Sequence, residues 1–241
     1  MKVDPKDKIQ RLIEALSDQH VSTAWNATRE LAKLGPAARE AVPALESALA
    51  GKDPTTVLWA RFALAKINGN IPEALPYFIA ALGEKKRIWA GMAATALSGF
   101  GPDAAPVVYA LIPELGSART DDRWAAAWAL GSIGSAAAQA VPALMGALED
   151  ADEKVRWYAA WAICQIGENA PGLEAALVRA ADDIDDDVRA YAAQALGVIR
   201  ARSEEASQVL LSMQEDENAN LRNAAALALK LIQSESNTER V

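Results

Sequence analysis

The sequence holds one cysteine and one histidine in 241 residues. A single thiol excludes an internal disulfide and a cysteine-based zinc site, and a single imidazole excludes a histidine-cluster metal site. Positive charge is also scarce: 24 Lys and Arg stand against 32 Asp and Glu, a net charge of −8 with a pI near 4.8. Affinity for a phosphate backbone comes from many basic contacts, so nucleic acid is not an expected partner. There is no alternating β pattern, Gly-rich phosphate loop, nucleophile–base pair or metal constellation. The expectation therefore leans away from an enzyme, with no cofactor and no catalytic residue. The first ten residues, MKVDPKDKIQ, lack an apolar run of signal-peptide length, and the chain is read as cytoplasmic. What is present is ordinary for a folded protein: 51% hydrophobic and 23% charged residues exclude disorder across the chain, and its length suffices for a sizeable core.

Residues Trp124 to Leu148 carry no charge, a run long enough to span a bilayer. Gly131, Gly134, Gln139, Pro142 and Gly146 interrupt it, and it stays in register with a period that runs through the whole sequence. No membrane span is expected.

That period is 33 residues. An aliphatic residue recurs at Leu31, Leu64, Leu97, Leu130, Ile163, Leu196 and Leu229, and three residues later stand Leu34, Ile67, Phe100, Ile133, Ile166, Ile199 and Ile232. Alanine occupies Ala27, Ala60, Ala93, Ala126, Ala159, Ala192 and Ala225; a further series is Leu12, Leu45, Phe78, Leu111, Leu144, Leu177 and Leu210. Self-similarity at such a period is the mark of repeat architecture. Within a unit, Val155, Ala159, Ala162, Ile163 and Ile166 fall on one helical face. Each unit reads as a helix pair, A then B, with B helices at about 22–34, 55–67, 88–100, 121–133, 154–166, 187–199 and 220–232, and an A helix such as 136–148. Gly35, Gly101, Gly134 and Gly167 end their B helices, and Asp and Asn before the B helices are expected caps. Pro43, Pro76 and Pro142 share one column of helix A and are expected to bend it. A lone pair cannot bury its apolar face, so the pairs must stack. The expected fold is all-α: an α-solenoid of about seven units over residues 1–232, B helices concave and A helices convex, with a polar frayed tail at 233–241.

The run Leu148-Glu-Asp-Ala-Asp-Glu-Lys-Val-Arg156 followed by Ala159-Ala-x-Ala-Ile163-x-x-Ile-Gly167, with Ala140-Val-Pro-Ala-Leu144 before it, resembles HEAT repeats, in particular the short phycobilisome-lyase-like type. Asp183 to Arg189 and Asp216 to Arg222 carry similar runs. The resemblance implies a ladder of turn Asp and helix Arg between units, mapping to Asp150 with Arg156, Asp183 with Arg189 and Asp216 with Arg222. Arg123 continues the Arg column with Ser117 in place of its Asp, while Ala24, Val57 and Ala90 depart from it.

Function in such a scaffold lives in the residues it does not need. With 155, 159, 162, 163 and 166 in the core, positions 157, 158, 161 and 165 face the concave side. There Trp124 and Trp128 on one helix and Trp157 and Trp161 on the next form a two-by-two grid. Tyr158 and Tyr191 extend it, Trp59 and Phe62 extend it less directly, and Gln165 and Gln194 flank it. The adjacent turns supply an acidic rim of Asp121, Asp122, Asp152, Glu153, Asp185, Asp186 and Asp187. Either these rings close the superhelix by packing on one another, or they form an aromatic floor for a cationic or amphipathic peptide or a flat π ligand. Cys164, in a column with Ala32, Ala65, Ser98, Gly131 and Gly197, reads as a packing residue, and His20 as a solvated turn residue.

The expected role is a non-enzymatic scaffold binding a protein or peptide, with no membrane partner. A monomer is the expected state; Leu227 and Leu231 mark the last unit as the place for any self-association. The resemblance implies two other roles: a bilin lyase or pigment-handling chaperone, and a HEAT-like alkylpurine DNA glycosylase, whose electrostatics the acidic chain does not match. A di-iron hydroxylase of this architecture needs several His ligands and is excluded by the single His20.

Overall fold

The computed structural model describes residues 5–18, 20–51, 53–82 and 87–236, with the side chains of 5, 21, 82, 87–90, 235 and 236 left out. The Ala90 side chain and the tail beyond Ser236 thus lie outside the described residues. Among the described residues, fourteen α-helices pair as the period predicts: α1 (Pro5–Ala15) with α2 (Val21–Leu34), α3 (Val42–Leu49) with α4 (Pro54–Asn68), α5 (Ile71–Leu82) with α6 (Arg87–Phe100), α7 (Val108–Leu111) with α8 (Thr120–Ile133), α9 (Val141–Ala147) with α10 (Glu153–Ile166), α11 (Leu173–Ala180) with α12 (Asp186–Val198), and α13 (Glu204–Met213) with α14 (Ala219–Ser236). No strand occurs among the described residues. The even-numbered B helices match their predicted spans within about one residue, except that α14 runs on through Ser236.

One A helix departs from its expected span. The span 136–148 is not one helix but a 3₁₀ segment, Gly134–Ala140, followed by α9. Gly134 stops α8 by turning to φ 73°, and Ala137 leaves helical values within the 3₁₀ segment. Pro142 then sits in the first turn of α9, and Pro43 likewise opens α3 after the 3₁₀ segment Gly35–Ala41. A proline there gives up an N–H that has no intrahelical partner anyway. So Pro43 and Pro142 start helices rather than bend them, and only Pro76 lies inside one.

The chain divides into two compact units, 1–104 and 105–241. In the first, Leu31, Leu45, Ile67, Phe78 and Leu97 are fully buried; in the second, Leu111, Leu130, Ile133, Leu144 and Ile163 are. All of them belong to the series read from the sequence. Each such burial stabilises by about 1.5–3 kcal/mol relative to exposure. Adjacent B helices touch backbone to backbone through small residues: a Cβ at Gly131 would fall 2.8 Å from Ala162 Cα, and one at Gly197 would fall 2.5 Å from Ala228 Cα.

The turns of the second unit are held by a repeated hydrogen-bond pattern. Asp152 and Asp185 cap α10 and α12 as expected, each accepting from two backbone N–H groups. The ladder exists, but offset by one repeat from the pairing the resemblance implied. Arg123 donates to Asp150 at 2.7 and 2.9 Å, and Arg156 to Asp183 at the same distances. Within its own unit each arginine reaches the backbone carbonyl of the turn residue rather than its side chain: Arg123 to Ser117, Arg156 to Asp150, Arg189 to Asp183 and Arg222 to Asp216. A carbonyl needs no aspartate, which is why Ser117 can stand in the column. Its Oγ accepts from the Arg119 N–H as Asp150 Oδ1 accepts from Asp152. Arg189 turns instead to Asp186, so no rung joins it to Asp216 among the described residues.

Candidate functional site

The four tryptophans of the grid project from α8 and α10 and are all half-buried. Tyr158, not a tryptophan pair, is the centre of the cluster. Trp124 stacks on Tyr158 at 5.6 Å between centroids and on Trp128 at 6.3 Å, and Trp128 stacks on Tyr158 at 6.0 Å. Trp157 leans on Tyr158 at 4.3 Å, Tyr191 of α12 meets Trp157 at 6.1 Å, and Trp161 stands edge-on to Tyr158 at 6.3 Å. Six rings from three successive B helices thus run in unbroken contact. Trp161 also seats in a backbone notch: a Cβ at Gly131 would lie 2.5 Å from its Cζ3. The rings pack on one another and still keep part of their surface open.

One cation already sits on this face. Lys154 on α10 places its Nζ 3.4 Å from the Trp124 ring centroid and 6.0 Å from that of Tyr158. Sequence reasoning passed over this residue; its i,i+4 spacing to Tyr158 was the available signal. Burial pushes the Tyr158 phenol up from its ordinary value, and burial followed by Asp187 does the same for Tyr191. Both stay protonated at neutral pH and can donate hydrogen bonds. The Trp157 Nε1 is buried with no hydrogen-bond partner among the described residues.

The acidic rim is largely engaged in structure. Asp121 accepts from the Trp124 indole N–H at 3.2 Å, Asp152 caps α10, and Asp186 pairs with Arg189 and accepts from Asn218. Glu153 and Gln165 are exposed and Gln194 is half-buried. Asp122 is not on the rim at all. It is 3% exposed, because its repeat position is the core position filled elsewhere by Val155, Val188 and Leu221. Ser117 Oγ donates to its Oδ2 at 3.0 Å, Arg119 lies 3.7 Å away, and its Oδ1 has no partner among the described residues.

Trp59 and Phe62 belong to the other unit and are buried, at 2% and 8% exposure, so they extend no exposed aromatic floor. Trp59 is wedged between Trp25 and Phe62 at 6.1 and 5.4 Å. Phe62 drops onto the bare backbone of Gly99, where a Cβ would come within 2.6 Å of its ring. Cys164 is half-buried, and burial raises its thiol to about 11, which keeps it unreactive. His20 is exposed just before α2. Leu227 and Leu231 are exposed on α14, at 60% and 42%. No group of His, Cys, Asp or Glu among the described residues could hold a metal ion, and no described helix is long and apolar enough to cross a membrane.

Comparison with curated proteins finds no match. Among solved structures, an engineered protein is similar with a TM-score of 0.59 at 23% identity, over 93% of this chain and 68% of that one. A second engineered protein gives 0.58 at 21% identity, over 94% and 98% of the two chains. A designed armadillo repeat protein in complex with the peptide (KR)4 gives 0.55 at 19% identity, over 93% and 99%. At these identities the likeness concerns the fold. The family pattern described as HEAT repeats matches residues 9–98, 108–185 and 173–240, so the chain belongs to the HEAT repeat family.

Proposed function

We propose that the chain is a non-enzymatic, cytoplasmic and monomeric scaffold, and that the aromatic face of α8, α10 and α12 binds a protein or peptide segment bearing lysine or arginine. The observation that carries this reading is the Lys154 ammonium on Trp124, at 3.4 Å from the ring centroid. It is an internal example of the contact that a guest cation would make. A cation over a tryptophan face contributes about 0.5–2 kcal/mol, more as water is excluded. Glu153, exposed beside it, adds a charge of the complementary sign. The designed armadillo protein that resembles this chain in fold is complexed with an alternating Lys-Arg peptide, which supports the same ligand class.

The test is fluorescence anisotropy of labelled (KR)4 with the wild type and with a Trp124→Leu, Trp128→Leu variant whose fold is checked by circular dichroism. Leucine keeps apolar volume and removes the π face. Binding is expected to weaken about tenfold or more, the scale of a hot-spot loss. Equal binding by two folded proteins would sink the proposal. A pull-down from source-cell lysate runs beside it; a coloured ligand lost in the variant would favour the pigment-handling role instead.

A further inference from the structure

The first unit carries a second feature of opposite charge. A cavity of about 430 Å³ opens among α2, α4 and α6 and is lined by Arg29, Lys33 and Lys66, with no carboxylate among its lining residues. That is three cations to no anion, in a chain where acids outnumber bases by 32 to 24. Arg29 and Lys33 are i,i+4 neighbours on α2, so they share a face. Lys66 holds the same position on α4, one 33-residue repeat later.

The three charges are poorly neutralised. Arg29 rests its guanidinium 5.0 Å from the Trp25 centroid and 6.0 Å from that of Trp59, and it has no ion pair or hydrogen bond among the described residues. These ring contacts hold the guanidinium in place and use none of its five N–H donors in a hydrogen bond to a described residue. Lys66 donates to the Gly99 carbonyl at 3.2 Å. Lys33 pairs with Glu30 at 2.6 Å, and Glu30 is itself shared with Lys8 at 3.5 Å. Each ammonium has three donors, so both lysines keep free N–H groups. Two of the three charges have no carboxylate partner among the described residues.

We infer that this cavity is a binding site for the phosphate group of an organic phosphate monoester, held by Arg29, Lys33 and Lys66. The inference goes beyond the peptide-binding face and does not depend on it. A monoester carries a charge of about −1.5 to −2 at pH 7, matching the two uncompensated cations. Arginine's planar fork suits two phosphate oxygens, and lysine serves as a point charge. The volume exceeds the need of a bare ion and lies within the usual range of small-ligand sites. Beside the charges the lining is the edge of Phe62 with Thr95, Ser98 and Gly99, whose carbon surface suits an organic body on the ester.

The probes are phenyl phosphate, inorganic phosphate and benzoate, titrated calorimetrically into the full-length chain at low salt. Phenyl phosphate should bind one to one. Inorganic phosphate, which lacks the body, and benzoate, which lacks the second charge, should each bind about tenfold more weakly or worse. Arg29→Gln and Lys66→Met should each weaken phenyl phosphate by about tenfold or more, and added NaCl should weaken it further. Lys66→Met keeps the apolar stem at the rim, so it stays informative even if Arg29→Gln disturbs the Trp25–Trp59 packing and fails to fold. The inference is overturned by no binding of phenyl phosphate at millimolar concentration, by undiminished binding in a folded Lys66→Met variant, or by inorganic phosphate binding as tightly as the ester.

Discussion

Asp122 occupies a position that its own repeat assigns to an aliphatic side chain. The column reads Asp122, Val155, Val188 and Leu221, and the last three are fully buried. One oxygen of Asp122 is bonded to Ser117 and the other has no partner among the described residues. A buried acceptor without a partner costs about 1–3 kcal/mol. Replacing Asp122 with Val restores the column's residue and removes that cost, at the loss of the Ser117 hydrogen bond and the looser Arg119 ion pair. The expected outcome is a variant more stable than wild type by about 1 kcal/mol in urea denaturation. A loss of stability of that size would instead mean that the Ser117–Asp122–Arg119 contacts outweigh the unpaired oxygen. Arg200 is a second residue out of step with its column. It adopts φ 57° in the column where Gly35, Gly101, Gly134 and Gly167 take positive φ.

Among elements, the B helices approach closely where a glycine meets the backbone of its neighbour. A methyl group added at Gly197 would sit 2.5 Å from Ala228 Cα, and a backbone atom cannot swing aside as a side-chain tip can. Gly197→Ala should therefore cost about 2 kcal/mol of overpacking, more than the roughly 1 kcal/mol that alanine regains in helix propensity. Gly146 on α9 faces open space, with nothing within 4 Å of a Cβ. There the same change should stabilise by about 0.5–1 kcal/mol. Opposite signs in the two thermal melts are the expected result, and a like sign would contradict the close-contact account.

Across the whole molecule, the period made the B helices legible almost to the residue, because aliphatic spacing and the helical repeat give one consistent signal. The A helices were legible only in part. Their 3₁₀ lead-ins depend on where a glycine turns and a proline permits a helix to begin, and hydrophobic spacing does not encode that. The aromatic columns were legible in position but not in exposure. Trp59 and Tyr158 share a column, yet Trp59 is buried between Trp25 and Phe62 while Tyr158 stays half open. The neighbouring repeat decides, through residues such as Gly99 that let a ring drop onto the backbone. The acid response belongs to this scale too. Hydrogen bonding from Arg123 holds the Asp150 carboxyl below its ordinary value; for Asp183, burial pushes upward but bonding from Arg156 and the Asp185 N–H outweighs it. Carboxylates so lowered add stability that is present above about pH 4 and drains away as the pH falls through their folded-state values. The melting temperature should drop on acidification below about pH 4, and Asp183→Asn, at a cost of about 2 kcal/mol near neutrality, should flatten that drop. An unchanged slope in the variant would remove the ladder from the account of acid unfolding. Finally, Lys154 makes the aromatic face a seat that is already taken. On the proposed reading, a guest cation seated on Trp124 has to displace a resident one, so that contact is an exchange of near equals. Its net free energy is then small even when the gross contact is strong, and selectivity falls to whatever the guest places beyond Trp124, along the Tyr158, Trp157 and Tyr191 rings.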